Sequence, residues 1–191
     1  DISETFFINL MRGAGIDGLT SIDYCREGQI IRPLLSCSRN EIEAYCAACE
    51  LTPRIDCTNM ENHYLRNKIR NQLMPMLNDV FELDAVESIF RSTEILKNEK
   101  SFIQKHIEAV FNRIAVKETD TIILELLPFN QLTDAEKYHL IRMCIKNLRG
   151  HLTNISYDKI LRIANLKRVG AMIEIDSCFS VRLGSNQLYF Y

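Results

Sequence analysis

The chain has 191 residues, 47% of them apolar and 25% charged, with a formal net charge of −2. That length suits one large or two small domains, and the balance excludes disorder driven by composition. No apolar run approaches the roughly 18 residues of a membrane-spanning helix, and no signal peptide or lipidation motif is visible.

In chain order, Asp1, Glu4 and Thr5 precede an apolar helix carrying Phe6, Phe7, Leu10 and Met11. Arg12 and a loop with Gly13, Gly15 and Gly18 follow, a spacing that frees the backbone to bend and to approach a ligand closely. The loop is not GxGxxG and follows no visible strand, so a dinucleotide fingerprint is unsupported. A short strand is expected near residues 29–32, then a helix over 39–50 opened by the S-x-x-E capping box of Ser38 and Glu41. Ile42, Tyr45, Cys46 and Cys49 fall on one stripe of that helix, which reads the two cysteines as small core residues. The alternative is thiolates of Cys37, Cys46, Cys49 and Cys57 converging on zinc or an iron–sulfur cluster. Seven cysteines without a secretory context are reduced by default.

Asp56, Thr58 and Asn59 are turn-forming residues. A helix is expected from Glu61, with Tyr64, Leu65, Ile69 and Leu73 in helical period, and Pro75 ends or kinks it. Arg66 and Arg70, four positions apart, share a face and can clamp a phosphate or carboxylate. The plainer reading is two solvated arginines.

From Phe81 the character changes. Apolar positions from Val86 to Ile114 keep helical period without Gly or Pro, predicting one long helix, with a candidate break near residues 98–100. The β-rich TIILELL follows. Thr133 or Asp134 caps a helix to about Leu148 that Gly150 stops, and Ser156 precedes another. The alternating end, with turn signals at Asp176-Ser177 and Gly184-Ser185-Asn186, predicts an antiparallel meander. Arg142, Lys146, Arg149, Arg162, Lys167 and Arg168 belong to a locally basic segment suited to phosphate-backbone contact, or else to a solvated helical face. The absence of Trp and of interleaved exposed aromatics argues against base stacking as the main mode. The four histidines fall in no catalytic pattern.

These residues resemble a family. Bacterial tRNA(Ile)-lysidine synthetases carry HxxDDxxET running into LxRGxGxxGL, then RPLL, DxSN and RNxIR. Here DISET looks like the tail of the first motif, with Asp1 as its second aspartate. LMRGAGIDGL, RPLL at 32–35, DCTN at 56–59 and RNKIR at 66–70 follow in the same order. Thr58 stands where serine is usual and keeps the hydroxyl. The five motifs cover about the first 80 residues; the remainder resembles the substrate-binding domain more loosely.

The resemblance implies residues 1–80 as the C-terminal part of a PP-loop ATPase domain, an α/β remnant of the adenine nucleotide alpha hydrolase type. Residues 81–191 are then a mostly helical α+β tRNA-binding domain with a small terminal antiparallel sheet. It implies ATP, Mg²⁺, free L-lysine and tRNA(Ile) with a CAU anticodon, in the cytoplasm and away from membranes. ATP adenylates O2 of the wobble cytidine, and the lysine amine attacks C2 and displaces AMP. Catalytic roles fall on Asp1, Arg66 and Arg70, with Asp1 also a candidate Mg²⁺ ligand. Glu4, Thr5, Arg12, Gly13, Gly15, Gly18, Asp56, Asn59 and Asn67 line the ATP and substrate cleft. The family's SGGxDS phosphate loop occurs nowhere in the 191 residues, so the chain reads as a piece of a longer enzyme, inactive alone. It is expected to lean on its second part or on a homodimer to bury its apolar faces. Two other classes remain: a tRNA thiolase of the same superfamily and a non-catalytic RNA-binding helical module.

Overall fold

A computed structural model describes residues 1–26, 29–54, 63–82, 84–177 and 179–191. It divides into two units, Asp1–Ser101 and Phe102–Tyr191.

The first unit opens with α1 (Ile2–Met11), which buries Ile2, Ser3 and Glu4. Gly13, at φ 71°, turns the chain out of α1 in a left-handed conformation that favours glycine. The short α2 (Ile16–Leu19) follows. The strand expected at 29–32 is β2 (Ile30–Ile31), paired antiparallel with β1 (Cys25–Arg26). α3 (Arg39–Ala48) starts at the expected Ser38–Glu41 capping box. Its apolar stripe is not core, however. No residue of α3 is buried, Tyr45 is 65% exposed, and Cys49 faces solvent. Helical period marks a face that needs cover; it cannot say whether this chain supplies the cover.

The arginine helix is α4 (Leu65–Lys68), continued through a π-helical turn (Ile69–Leu73) into α5 (Met74–Phe81). Pro75 therefore does not end the helical path. In the wide turn the Met74 N–H donates to the Ile69 carbonyl, five residues back. Pro75 then sits in the first turn of α5, where a missing N–H matters little. Ile69, Met74, Ala85 and Ile89 form the unit's small core, with Phe6, Phe7, Ile8, Leu73 and Leu77 packed around it.

The long helix, α6 (Ala85–Ile114), runs 30 residues without a break at 98–100. Asn98, Glu99 and Lys100 are polar, not helix-breaking, and its apolar period is carried on either side of them.

The second unit is built on a five-stranded antiparallel sheet of order β3-β4-β7-β6-β5. Its strands are β3 (Ala115–Lys117), β4 (Ile122–Glu125), β5 (Met172–Asp176), β6 (Phe179–Leu183) and β7 (Gln187–Phe190). The terminal meander is as expected; its extension to β4 is a long-range pairing that local alternation does not encode, and β3 joins β4 as a local hairpin. TIILELL splits at Glu125, because α7 (Leu126–Gln131) begins there with Pro128 in its first turn. α8 (Asp134–Arg149) starts at the Thr133–Glu136 capping box and ends at Gly150, φ 81°. α9 (Tyr157–Ala164) follows Ser156, whose hydroxyl accepts from the Lys159 N–H.

One face of the sheet buries Ile122, Leu124, Ile173, Ile175, Val181, Leu188 and Phe190 against Leu140, Ile141, Cys144 and Ile145 of α8 and Ile160 and Ile163 of α9. At roughly 1.5–3 kcal/mol per buried large apolar side chain, this core outweighs the one that the described residues of the first unit form. Burial pushes the Cys144 thiol far up, so it behaves as an inert apolar group. No helix among the described residues is long and apolar enough to cross a membrane.

Candidate functional site

Two motif segments more than 60 residues apart in sequence meet in the first unit. α1 presents Glu4 and Thr5 just after Asp1, and the arginine helix lies against it. Arg70 Nε donates to Glu4 Oε1 at 2.7 Å and Arg70 Nη2 to Asp1 Oδ1 at 3.0 Å. Arg66 Nη2 donates to Thr5 Oγ1 at 3.1 Å. The i, i+4 spacing puts both guanidinium groups on the face that looks at α1. Their partners differ in kind. Among the described residues, Arg70 is neutralised by two carboxylates, whereas Arg66 is bonded to a neutral hydroxyl and is exposed. Arg66 thus keeps its charge available to an anion.

Glu4 is 6% exposed. Burial pushes its carboxyl upward, and the hydrogen bond and charge of Arg70 act in the opposite direction and lower it. Asn67, expected in the cleft, is buried. Asp56 and Asn59, with Cys57 and Thr58, lie outside the described residues.

The glycine loop beside α1 is fixed from several directions. Asn9 Nδ2 donates to the Gly18 carbonyl at 2.8 Å, and the Ala14 N–H returns to the Asn9 carbonyl at 3.0 Å. A Cβ on Gly18 would stand 2.5 Å from Ala14 Cβ, so this position has no room for a side chain. Gly13 needs its positive φ, while Gly15 is an extended residue with open space around it. Arg12, at the end of α1, is exposed. Ser21 Oγ donates to the Ile2 carbonyl at 2.9 Å. Arg32, the first residue of RPLL, donates from Nη1 to the Asp23 carbonyl at 3.1 Å. Asn9 and Ser21 carry no motif signal, because their partners are backbone carbonyls that only folding brings near.

The basic segment of the second unit does not form one open face. Arg149 Nε bonds Asp176 Oδ2 at 2.8 Å, its Nη1 donates to the Thr153 carbonyl, and its side chain is 17% exposed. Arg142 lies over the Tyr138 ring, 5.3 Å from the centroid, and donates to the Tyr138 hydroxyl. Lys146, Arg162, Lys167 and Arg168 are exposed. A concavity of about 440 Å³ is lined by Leu148, Arg149, His151, Asp176, Ser177 and Phe179. It contains none of the motif residues, and its arginine and aspartate neutralise each other. No group of three or more His, Cys, Asp or Glu among the described residues is placed to hold a metal ion.

A mixed helix and sheet architecture carrying these motifs defines a class, and residues 1–77 match the PP-loop domain family. More narrowly, the chain is a sequence relative of the tRNA(Ile)-lysidine synthases. It is 42% identical to that of Clostridioides difficile over 87% of this chain and 36% of the relative. With that of Caldanaerobacter subterraneus it shares 34% identity over 95% of this chain and 38% of the relative. The synthase of Clostridium perfringens is 35% identical over 92% and 37%. The chain spans little more than a third of the length of these curated relatives.

Proposed function

We propose that this chain is part of an ATP-dependent ligase that converts the wobble cytidine of tRNA(Ile) to lysidine with free L-lysine, acting in the cytoplasm. One observation carries the reading: Asp1, Glu4 and Thr5 converge on Arg66 and Arg70, in a chain related over most of its length to proteins named for that product. Arg70, locked between two carboxylates, shapes the site. Arg66, with a hydroxyl as its partner, meets the phosphate of ATP or of the adenylated cytidine. Magnesium is commonly held by one or two carboxylates together with substrate phosphates, and the exposed Asp1 carboxylate fits that use.

Residues 1–80 form the C-terminal part of the catalytic domain in this reading, and 81–191 bind the tRNA. Exposed Lys146, Arg162, Lys167 and Arg168 carry the phosphate contacts, and Arg142 and Arg149 shape the surface that presents them. Homodimer formation would cover apolar faces the chain leaves open, such as that of α3.

The test is lysidine formation by the full-length protein with ATP, lysine and a tRNA(Ile) transcript, read by nucleoside mass spectrometry. A product with the mass of lysidine, dependent on all three substrates, is expected. A thiolated product, or none, overturns the reading.

A further inference from the structure

We propose that Lys100, assisted by Lys97, is a positioning residue through which α6 fixes the glycine loop of the site; its effect on turnover rests on the function proposed above. Nothing in the five motifs includes α6. Yet Lys100 Nζ lies 3.2 Å from Asp17 Oδ1 and 3.5 Å from Thr20 Oγ1, across some 80 residues of sequence. Thr20 is 4% exposed, and its hydroxyl donates to the Asp17 carbonyl at 3.0 Å. One ammonium thereby ties both ends of the Asp17–Thr20 turn, which contains Gly18. One helical turn earlier, Lys97 Nζ sits 5.6 Å from the centroid of the Tyr24 ring and pairs with Glu94 at 2.8 Å.

The same α6 buries Ala85 and Ile89 with Ile69 of the π turn and Met74 of α5, and Phe6, Phe7 and Ile8 of α1 pack on that cluster. At its N-terminal end, then, α6 braces the two helices that carry Glu4, Thr5, Arg66 and Arg70. Three turns on, it grips the segment that carries Gly18. Asn9 ties the loop to α1 directly. The loop is tied to α1 through Asn9 and Ser21 and to α6 through Lys100. With side chains 35% and 46% exposed, the Lys100–Asp17 pair contributes little to global stability. Its consequence is where the loop stands, and small misplacement of groups around reacting atoms lowers rates steeply.

The experiment uses the full-length protein with Lys100→Gln, Lys100→Arg, and the reciprocal pair Asp17→Lys with Lys100→Asp. Hydrogen exchange reads the clamp without any activity. The amides of Gly18, Leu19, Thr20 and Ser21, which donate to Gly15, Gly15, Ile16 and Gly18, are expected to exchange about tenfold faster in Lys100→Gln. The melting temperature should stay within about 1 °C of the parent. Turnover should fall about tenfold with KM for tRNA unchanged, and Lys100→Arg and the reciprocal pair should recover most of it. Unchanged exchange in Lys100→Gln overturns the clamp whether or not the parent is active. Faster exchange with parental turnover overturns the positioning role. A fall in the salt slope of tRNA binding by about one unit would make Lys100 a phosphate contact instead. A parent enzyme that forms no lysidine would count against the proposed function alone, and the exchange result would still decide the clamp.

Discussion

Arg66 and Arg70 look equivalent in the sequence, and their partners separate them. Arg66→Ala removes an exposed guanidinium bonded to a hydroxyl, so under the proposed function lysidine formation by the full-length protein should fall by about 100-fold or more with the melting temperature almost unmoved. Near-parental activity would remove Arg66 from the site. Arg70→Ala leaves the buried Glu4 without its guanidinium, at a cost of about 1–3 kcal/mol, so denaturant midpoints should drop as well. Arg70→Lys should not restore them, since an ammonium cannot span Glu4 and Asp1 as the fork does. The glycines also part company. Gly18→Ala should disturb the loop through Ala14, and adding Ala14→Gly should relieve it, because the 2.5 Å contact involves those two Cβ positions. If the double variant is as impaired as the single, the clash is not the cause.

At the scale of elements, the capping box at Ser38 was legible from four letters, and the cap of α8 was narrowed to Thr133 or Asp134, because a cap bonds within one turn. The π turn before Pro75 and the α7 start were not, since each depends on how neighbouring segments share backbone partners. Glu136 shows a local cap drawn into tertiary structure. His106 of α6 bonds its Oε1 at 2.8 Å, and the Thr133 N–H and hydroxyl both donate to Oε2. The His106 bond first, then the Thr133 donors, lower its carboxyl to about 2. A depressed carboxyl contributes stability above its unfolded value near 4.5 and loses it as pH falls toward about 2. Glu136→Gln should therefore be less stable than the parent at pH 7, modestly because the site is solvent-screened, and indistinguishable from it at pH 2. A constant difference in pH-dependent urea melts would contradict this. On α8 the basic residues divide likewise. Under the proposed function, Lys146→Gln should lower the salt slope of tRNA binding by about one unit. Arg149→Gln should chiefly destabilise, because it unties Asp176 and the Thr153 carbonyl.

Across the whole molecule, apolar burial is unequal. Among the described residues, twenty buried ones form the core of the second unit and four that of the first. Native-state hydrogen exchange on the 191-residue chain should find the slowest amides in α8, β4, β6 and β7, and faster ones in α1 and the arginine helix. Equal protection in the two units would mean that the first gains stability from contacts other than its small core. Without an SGGxDS string anywhere in its sequence, the same chain alone should give no ATP–pyrophosphate exchange. Exchange above background would show that phosphate is bound by other residues.

What the sequence determined by itself was whatever is local or ordered along the chain: the capped helices, the long α6, the terminal meander, and five motifs whose order pointed to the family. It named Asp1, Glu4, Thr5, Arg66 and Arg70 together, but as types in a pattern. Only the tertiary structure decided which arginine is neutralised by carboxylates, that Asn67 and Arg149 turn away from solvent, that the stripe on α3 stays uncovered, and that Lys100 reaches Asp17. Most of those outcomes depend on which groups meet across long stretches of intervening chain, and neither helical period nor motif spacing carries that distance.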